Sequence, residues 1–195
     1  MSVDSEKIEM RQFAKGNRTG FAQAAGAGAA ERLADNYFQS APGSTDSSMA
    51  VAGYWPLADE IDVRPLMIRV FEASRPVALP VVIAPAAPLI FRRWQPDMVL
   101  DAGVFGTRHP RPQEPEIPPQ TLLVPLLAFD DQGFRLGWGG GFYDRTLADL
   151  RAARPVIAIG VAYHGQRVGH VPHTPEDEPM DWIITDEDIL ETGLK

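Results

Sequence analysis

Four of the five residues from Gly137 to Gly141 are glycine, and they stand between a continuous apolar run and an amphipathic helix. That placement restricts the fold more than any other feature. The upstream run, TLLVPLLAF from Thr121 to Phe129, suits a central strand covered on both faces. Downstream, FYDRTLADLRAAR carries Phe142, Leu147 and Leu150 as a helical stripe, and PVIAIGVAY, residues 155 to 163, reads as the next buried strand. MDWIITD, residues 180 to 186, reads as another. Strand, helix, strand in this order predicts an α/β fold with a parallel sheet.

The N-terminal half is less regular. Residues Ser5 to about Arg18 predict a helix on which Lys7, Arg11, Lys15 and Arg18 share one face at 3.6 residues per turn. Such a stripe is commonly a solvated face, yet here it is basic within an acidic chain. A second helix is expected from Gly20 to Gln39, weakened by Gly26 and Gly28 and ended by APGSTDSS. MAVAGYW, residues 49 to 55, predicts a strand. Asp62 caps a helix starting at Val63 with Pro65 in its first turn. VALPVVI, residues 77 to 83, and PLIFRRW, residues 88 to 94, predict strands. Eleven of the eighteen prolines fall between Pro76 and Pro125, so that stretch is extended or looped, and HPRPQEPEIPP, residues 109 to 119, reads as a stiff surface connection. One domain over residues 1 to 195 is expected: helices at 5–39, the proline-rich connection at 109–119 and the glycine-loop part at 121–188.

Charge and composition narrow the function. A net charge of −8 gives no general attraction for nucleic acid or an anionic membrane, so a bound anion needs a local site. With no cysteine, thiolate metal sites and cysteine nucleophiles are excluded. No apolar run reaches the ~20 residues of a membrane helix, and MSVDSEKIEMRQ lacks an export core, so a cytoplasmic protein is expected. There is no G-x-S-x-G elbow, and His164, His170 and His173 lack a zinc spacing.

Backbone amides of a glycine-rich turn at a helix start can approach a phosphate closely. A flexible turn without ligand reads the same glycines equally well. Arg135 and Arg145 on either side favour the phosphate reading, because guanidinium groups match phosphate oxygens. Neither a Walker A loop nor the dinucleotide fingerprint is present. Asp144 either complements the helix dipole or holds Mg²⁺ beside phosphates. A second carboxylate at a strand end, Asp181 or Asp177, would complete a metal site.

The blocks VPLLAFDDQGFRLGWGGGFYDR, IGVAYHGQ and PEDEPMDWIITDE, in order with KIEMRQFAKGNR and DEIDVRPL, resemble the 5-formyltetrahydrofolate cyclo-ligase family over roughly residues 5 to 188. The resemblance implies a Rossmann-like three-layer α/β sandwich of the NagB, RpiA and CoA-transferase kind, with the N-terminal helices packed on a mostly parallel sheet. It also implies an ATP- and Mg²⁺-dependent ligase converting 5-formyltetrahydrofolate to 5,10-methenyltetrahydrofolate, acting as a monomer. Lys7 and Arg11 match the family's Lys-x-x-x-Arg pair on the nucleotide. Arg135, Leu136, Gly137, Trp138, Gly139, Gly140, Gly141, Phe142 and Tyr143 match its ATP loop. Glu60 matches the folate contact, with Trp138 to Phe142 on the pterin side, and Asp144 and Asp181 match the Mg²⁺ positions. Gly140 replaces a lysine of some relatives. Two assignments come from placement alone: Arg145 as a catalytic cation, and Trp55 as an aromatic face for folate. A non-catalytic nucleotide- or folate-binding module would share the loop.

Overall fold

The computed structural model describes residues 2–44, 48–57 and 59–193. Helix α1 (Val3–Ala25) begins at Ser2, whose hydroxyl accepts from the Ser5 amide, and it runs through Gly16 and Gly20 without a break. The chain turns instead at Gly26, whose φ of 70° ends the helix. Helix α2 (Ala29–Gln39) follows. The expected breaking segment starts as a 3₁₀ turn at Pro42–Ser44, and its residues 45–47 lie outside the described residues.

Strand β1 (Val51–Ala52) is shorter than expected. Helix α3 (Arg64–Glu72) has Pro65 in its first turn, and Asp62 Oδ1 accepts from the Arg64 amide at 2.9 Å. Strands β2 (Val77–Val81) and β3 (Ile90–Trp94) form a hairpin-like antiparallel pair. A small hairpin, β4 (Asp101–Ala102) and β5 (Arg108–His109), then precedes the proline-rich connection. That connection borders β3: the Arg93 amide donates to the Pro115 carbonyl and the Ile117 amide to the Phe91 carbonyl, both at 2.9 Å.

The run TLLVPLLAF is not one strand. Strand β6 (Thr121–Pro125) ends at the proline, and the chain leaves the sheet where Gln166 Nε2 donates to the Leu126 and Leu127 carbonyls. Strands β7 (Ala128–Phe129) and β8 (Arg135–Leu136) pair as a second small hairpin that delivers the glycine loop to helix α4 (Phe142–Ala153). Strand β9 (Ile157–Ala162), β10 (Trp182–Thr185) and the antiparallel edge strand β11 (Ile189–Glu191) complete the chain.

Seven strands form the main sheet in the order β11-β10-β9-β6-β1-β2-β3, with parallel pairing from β10 through to β2. Alternate residues face opposite layers, as the pleat requires. Val51, Val77, Leu123, Ile159 and Ile184 pack against Leu33 and Tyr37 of α2 and Leu66, Met67 and Val70 of α3. Ala52, Ala78, Leu122, Val124 and Ile183 pack on the other side with Leu147 of α4. Each fully buried leucine there contributes ~2 kcal/mol. The result is the three-layer α/β sandwich with a mostly parallel sheet that the sequence predicts. No helix among the described residues is long and apolar enough to cross a membrane.

The topology also places a crevice. From β1 the chain crosses through α3 to β2, and from β6 through α4 to β9, so adjacent strands β1 and β6 feed crossovers in opposite directions. Their carboxyl ends form the switch point at which open α/β sheets bind ligands.

Candidate functional site

A cavity of about 1190 Å³ opens at this switch point, between Tyr54 and Trp55 after β1, Pro125 at the end of β6, the glycine loop and α1. It is large enough for two drug-sized ligands side by side. Lys7, Arg11, Trp55, Glu60 and every residue from Arg135 to Asp144 line it, and Arg145 and Asp181 do not.

Lys7, Arg11 and Arg18 of the cationic face of α1 are docked on the protein, and Lys15 is exposed. Lys7 Nζ pairs with Asp177 Oδ2 at 2.5 Å, and Arg11 Nε donates to the Gly137 carbonyl at 3.0 Å. Lys15 Nζ and the Arg18 guanidinium stand 4.7 and 4.8 Å from the centroid of the Trp138 ring. Beneath them Ala14 packs with Leu127, Ala128 and Leu136, which carry the loop. The helix that brings the cations is thus fixed to the hairpin that brings the glycines.

Gly139 and Gly141 have φ of 100° and 64°, a region in which a side chain is strained. Gly141 is the N-cap of α4 and offers no side-chain cap, and the amides of Gly137 to Gly141 donate to no group among the described residues. Unsatisfied amides at a helix N-terminus, lining a cavity, form an anion site. A Cβ at Gly139 would lie 3.4 Å from Arg11 Cζ, so the Arg11 guanidinium lies close along the loop. Arg145 turns away from the cavity: its Nη2 donates to the Gly140 carbonyl at 2.7 Å, and its guanidinium stands 5.4 Å from the Phe142 ring. Arg145, the cation expected to be catalytic, thus bonds the loop backbone in this structure.

Glu60, whose side chain is 5% exposed, also lines the cavity. Its Oε1 accepts from Trp138 Nε1 at 3.0 Å and its Oε2 from the Leu57 amide at 2.8 Å. Desolvation raises the carboxyl above its ordinary range, opposed by these two donors and by Arg18. Tyr54 and Tyr143 stand beside it, and desolvation together with the Glu60 charge keeps both phenols protonated. Trp55 lines the cavity too, with the Arg64 guanidinium 5.3 Å from its ring centroid.

Residues 3–186 fit the 5-formyltetrahydrofolate cyclo-ligase family. The chain belongs to that family. The 5-formyltetrahydrofolate cyclo-ligase of Haemophilus influenzae is 35% identical over 140 residues, 69% of this chain and 74% of that protein. That of Escherichia coli is 32% identical over 146 residues, 72% of this chain and 80% of that one. The NMR structure of Aquifex aeolicus 5,10-methenyltetrahydrofolate synthetase superposes with a TM-score of 0.78 at 26% identity, covering 97% of this chain and 94% of that one. With membership in the cyclo-ligase family goes its activity, the ATP-dependent conversion of 5-formyltetrahydrofolate to 5,10-methenyltetrahydrofolate.

A cyclo-ligase that uses nucleotide with Mg²⁺ needs carboxylates beside the phosphates, and the donor set here fits one. Asp144 Oδ1 is held by Arg135 at 2.9 Å and by the Glu178 amide, and among the described residues nothing bonds its Oδ2. Asp177 is arranged alike: Oδ2 takes Lys7 and Thr174, and Oδ1 is left unbonded among the described residues. Both line the cavity. Asp181, expected as the second ligand, does not line this cavity; its Oδ2 accepts from Arg151 at 2.9 Å and from the Ala158 amide at 2.7 Å. Asp177, four residues earlier, lines the cavity with Asp144. Asp177 is one of the two carboxylates that the sequence offers, whereas the hairpin tip of Phe105, Thr107 and Arg108, which also lines the cavity, is not legible there. Residues 105 to 108 carry no local pattern that marks a site, whereas Asp177 belonged to an acidic run already singled out.

Proposed function

We propose that the cavity holds both substrates of the reaction at once, the ATP phosphates on the Gly137–Gly141 amides and the reduced pterin against Glu60. The observation that carries this reading is the lining of one cavity, which combines unbonded loop amides, Lys7, Arg11 and Arg135 with the buried Glu60 carboxylate and the Trp55 and Trp138 rings.

A formamide oxygen is a poor leaving group. Transfer of the γ-phosphoryl group to that oxygen breaks the bond to ADP and gives an iminium phosphate. Attack of N10 on the same carbon then closes the five-membered ring, and loss of the N10 proton with inorganic phosphate as the leaving group gives the methenyl product. Most of the acceleration comes from positioning and from neutralising charge on the transferring group. Lys7, Arg11 and the loop amides supply that neutralisation, and Arg135 keeps Asp144 oriented. Mg²⁺ bound with the nucleotide would offset phosphate charge, and Asp144 with Asp177 are the residues that would hold it. The Glu60 carboxylate accepts hydrogen bonds from the amino and amide N–H groups of the pterin, and Trp138 presents an aromatic face beside it.

Incubation of the purified chain with 5-formyltetrahydrofolate and Mg-ATP, followed by the absorbance of the methenyl product, tests the reading. Product that requires nucleotide supports it. Nucleotide binding without product would leave a binding module.

A further inference from the structure

Arg18 is the last cation of the α1 stripe, and it ends 3% exposed. Burying a guanidinium is costly unless partners surround it. Nε donates to Asp59 Oδ1 at 2.8 Å and Nη2 donates to the same oxygen, while Asp59 Oδ2 takes the Thr19 hydroxyl. Asp59 therefore consumes two of the three nitrogens. The third, Nη1, is buried with no hydrogen-bond partner among the described residues, and it lies 3.7 Å from Glu60 Oε1. That separation is long for a hydrogen bond and short for a charge interaction shielded from water. The same guanidinium faces the Trp138 ring, whose N–H donates to that very Glu60 oxygen.

We propose that Arg18 is the positioning residue of the folate end, holding Glu60 as a carboxylate and Trp138 beside it, so that a donor-rich heterocycle such as the pterin meets an acceptor instead of a neutral acid. The inference rests on the placement of the pterin at Glu60. Arg18 itself does not line the cavity and acts through its neighbours. The groups that face Glu60 are Arg18 from α1, Asp59 on its own loop, Tyr54 after β1 and Tyr143 from α4. Arg18 is the one cation among them, and Asp59 opposes it as a like charge. Loss of the guanidinium therefore favours the protonated acid, and loss of Asp59 favours the carboxylate.

The test follows the Trp138 indole N–H resonance of the full ¹⁵N-labelled chain through a pH titration, with Trp138→Phe assigning the signal. Arg18→Met is expected to move the midpoint up by about one pH unit or more, and Arg18→Lys to keep it near the wild-type value. Asp59→Asn, which leaves the buried cation in place, is expected to move it down. The acid limb of kcat/KM for 5-formyltetrahydrofolate moves with the midpoint, and the limb for ATP stays. An unmoved midpoint in Arg18→Met overturns the proposal, and if that variant does not fold, an unmoved midpoint in Asp59→Asn does. Glu60→Gln abolishes the titration, and its persistence would equally overturn the assignment. Should Glu60→Gln remove the titration yet leave the KM for 5-formyltetrahydrofolate unchanged, the pterin placement fails, and that result is distinct from an unmoved midpoint.

Discussion

Lys7 and Asp177, 170 positions apart in the chain, meet in an ion pair whose side chains are only 12% and 19% exposed. The pair ties the first two turns of α1 to the segment before β10. It also joins a cation suited to phosphate with a carboxylate suited to a divalent ion, at the same end of the cavity.

Stability should depend on this pair in one direction of pH. Partial desolvation pushes Asp177 up, but the bonds from Lys7 and Thr174 outweigh it and hold the carboxyl below its ordinary range. A depressed carboxylate adds stability that is complete above the unfolded value and disappears as the pH falls through the folded one. Lys7→Met is expected to cost about 1–2 kcal/mol at pH 7, with the difference from wild type shrinking below about pH 4. Urea unfolding of both proteins across this range checks the trend, and a difference that grows on acidification would contradict it.

The same lysine should matter for one substrate only. Lys7→Ala is expected to raise the KM for ATP tenfold or more, roughly the loss of one charge-assisted contact, and to leave the KM for 5-formyltetrahydrofolate near the wild-type value. Steady-state kinetics with each substrate varied in turn measures the split.

Asp177 and Asp181 are four residues apart and should behave differently. Asp177→Asn is expected to weaken the Mg²⁺ dependence of ATP binding severalfold, since its carboxylate lines the cavity. Asp181→Asn loses its pairing with Arg151 and is expected to lower the melting temperature while leaving Mg-ATP binding unchanged. Calorimetric titration of each variant with ATP, with and without Mg²⁺, distinguishes them, and the reverse pattern would return the metal to Asp181.

Glycines of the loop are not equivalent either. Gly141→Ala places a Cβ in the left-handed region, 2.6 Å from Arg145 Nη1, and is expected to cost ~1–2 kcal/mol and to raise the KM for ATP sharply. Gly137→Ala meets nothing within 4 Å and should fold as well as wild type. Thermal melts of the two variants side by side provide the comparison.

What the sequence revealed was mostly local. The order of strands around the loop, the start of α4 and the shared face of Lys7, Arg11, Lys15 and Arg18 all follow from spacing along the chain. The length of α1 did not, because its passage through Gly16 and Gly20 is sustained by docking onto distant residues such as Leu127 and Val171. The pairing of Asp181 with Arg151 is not legible, because a carboxylate at a strand head looks free until the preceding helix is brought beside it. The sequence puts Arg18 on the cationic face but does not show its burial, because its partners, Asp59 and Glu60, lie some forty residues away. Strand β11 escaped notice as a short segment whose outer positions, Ile189 and Glu191, are exposed.

The prolines at residues 109 to 119 have an effect beyond connecting two elements. By lying along β3 they occupy the backbone groups of a border that would otherwise be open, and the other border ends in the three-residue β11. Neither rim offers a long ladder to a neighbouring molecule, which is how native sheets resist stacking into insoluble fibrils at high concentration.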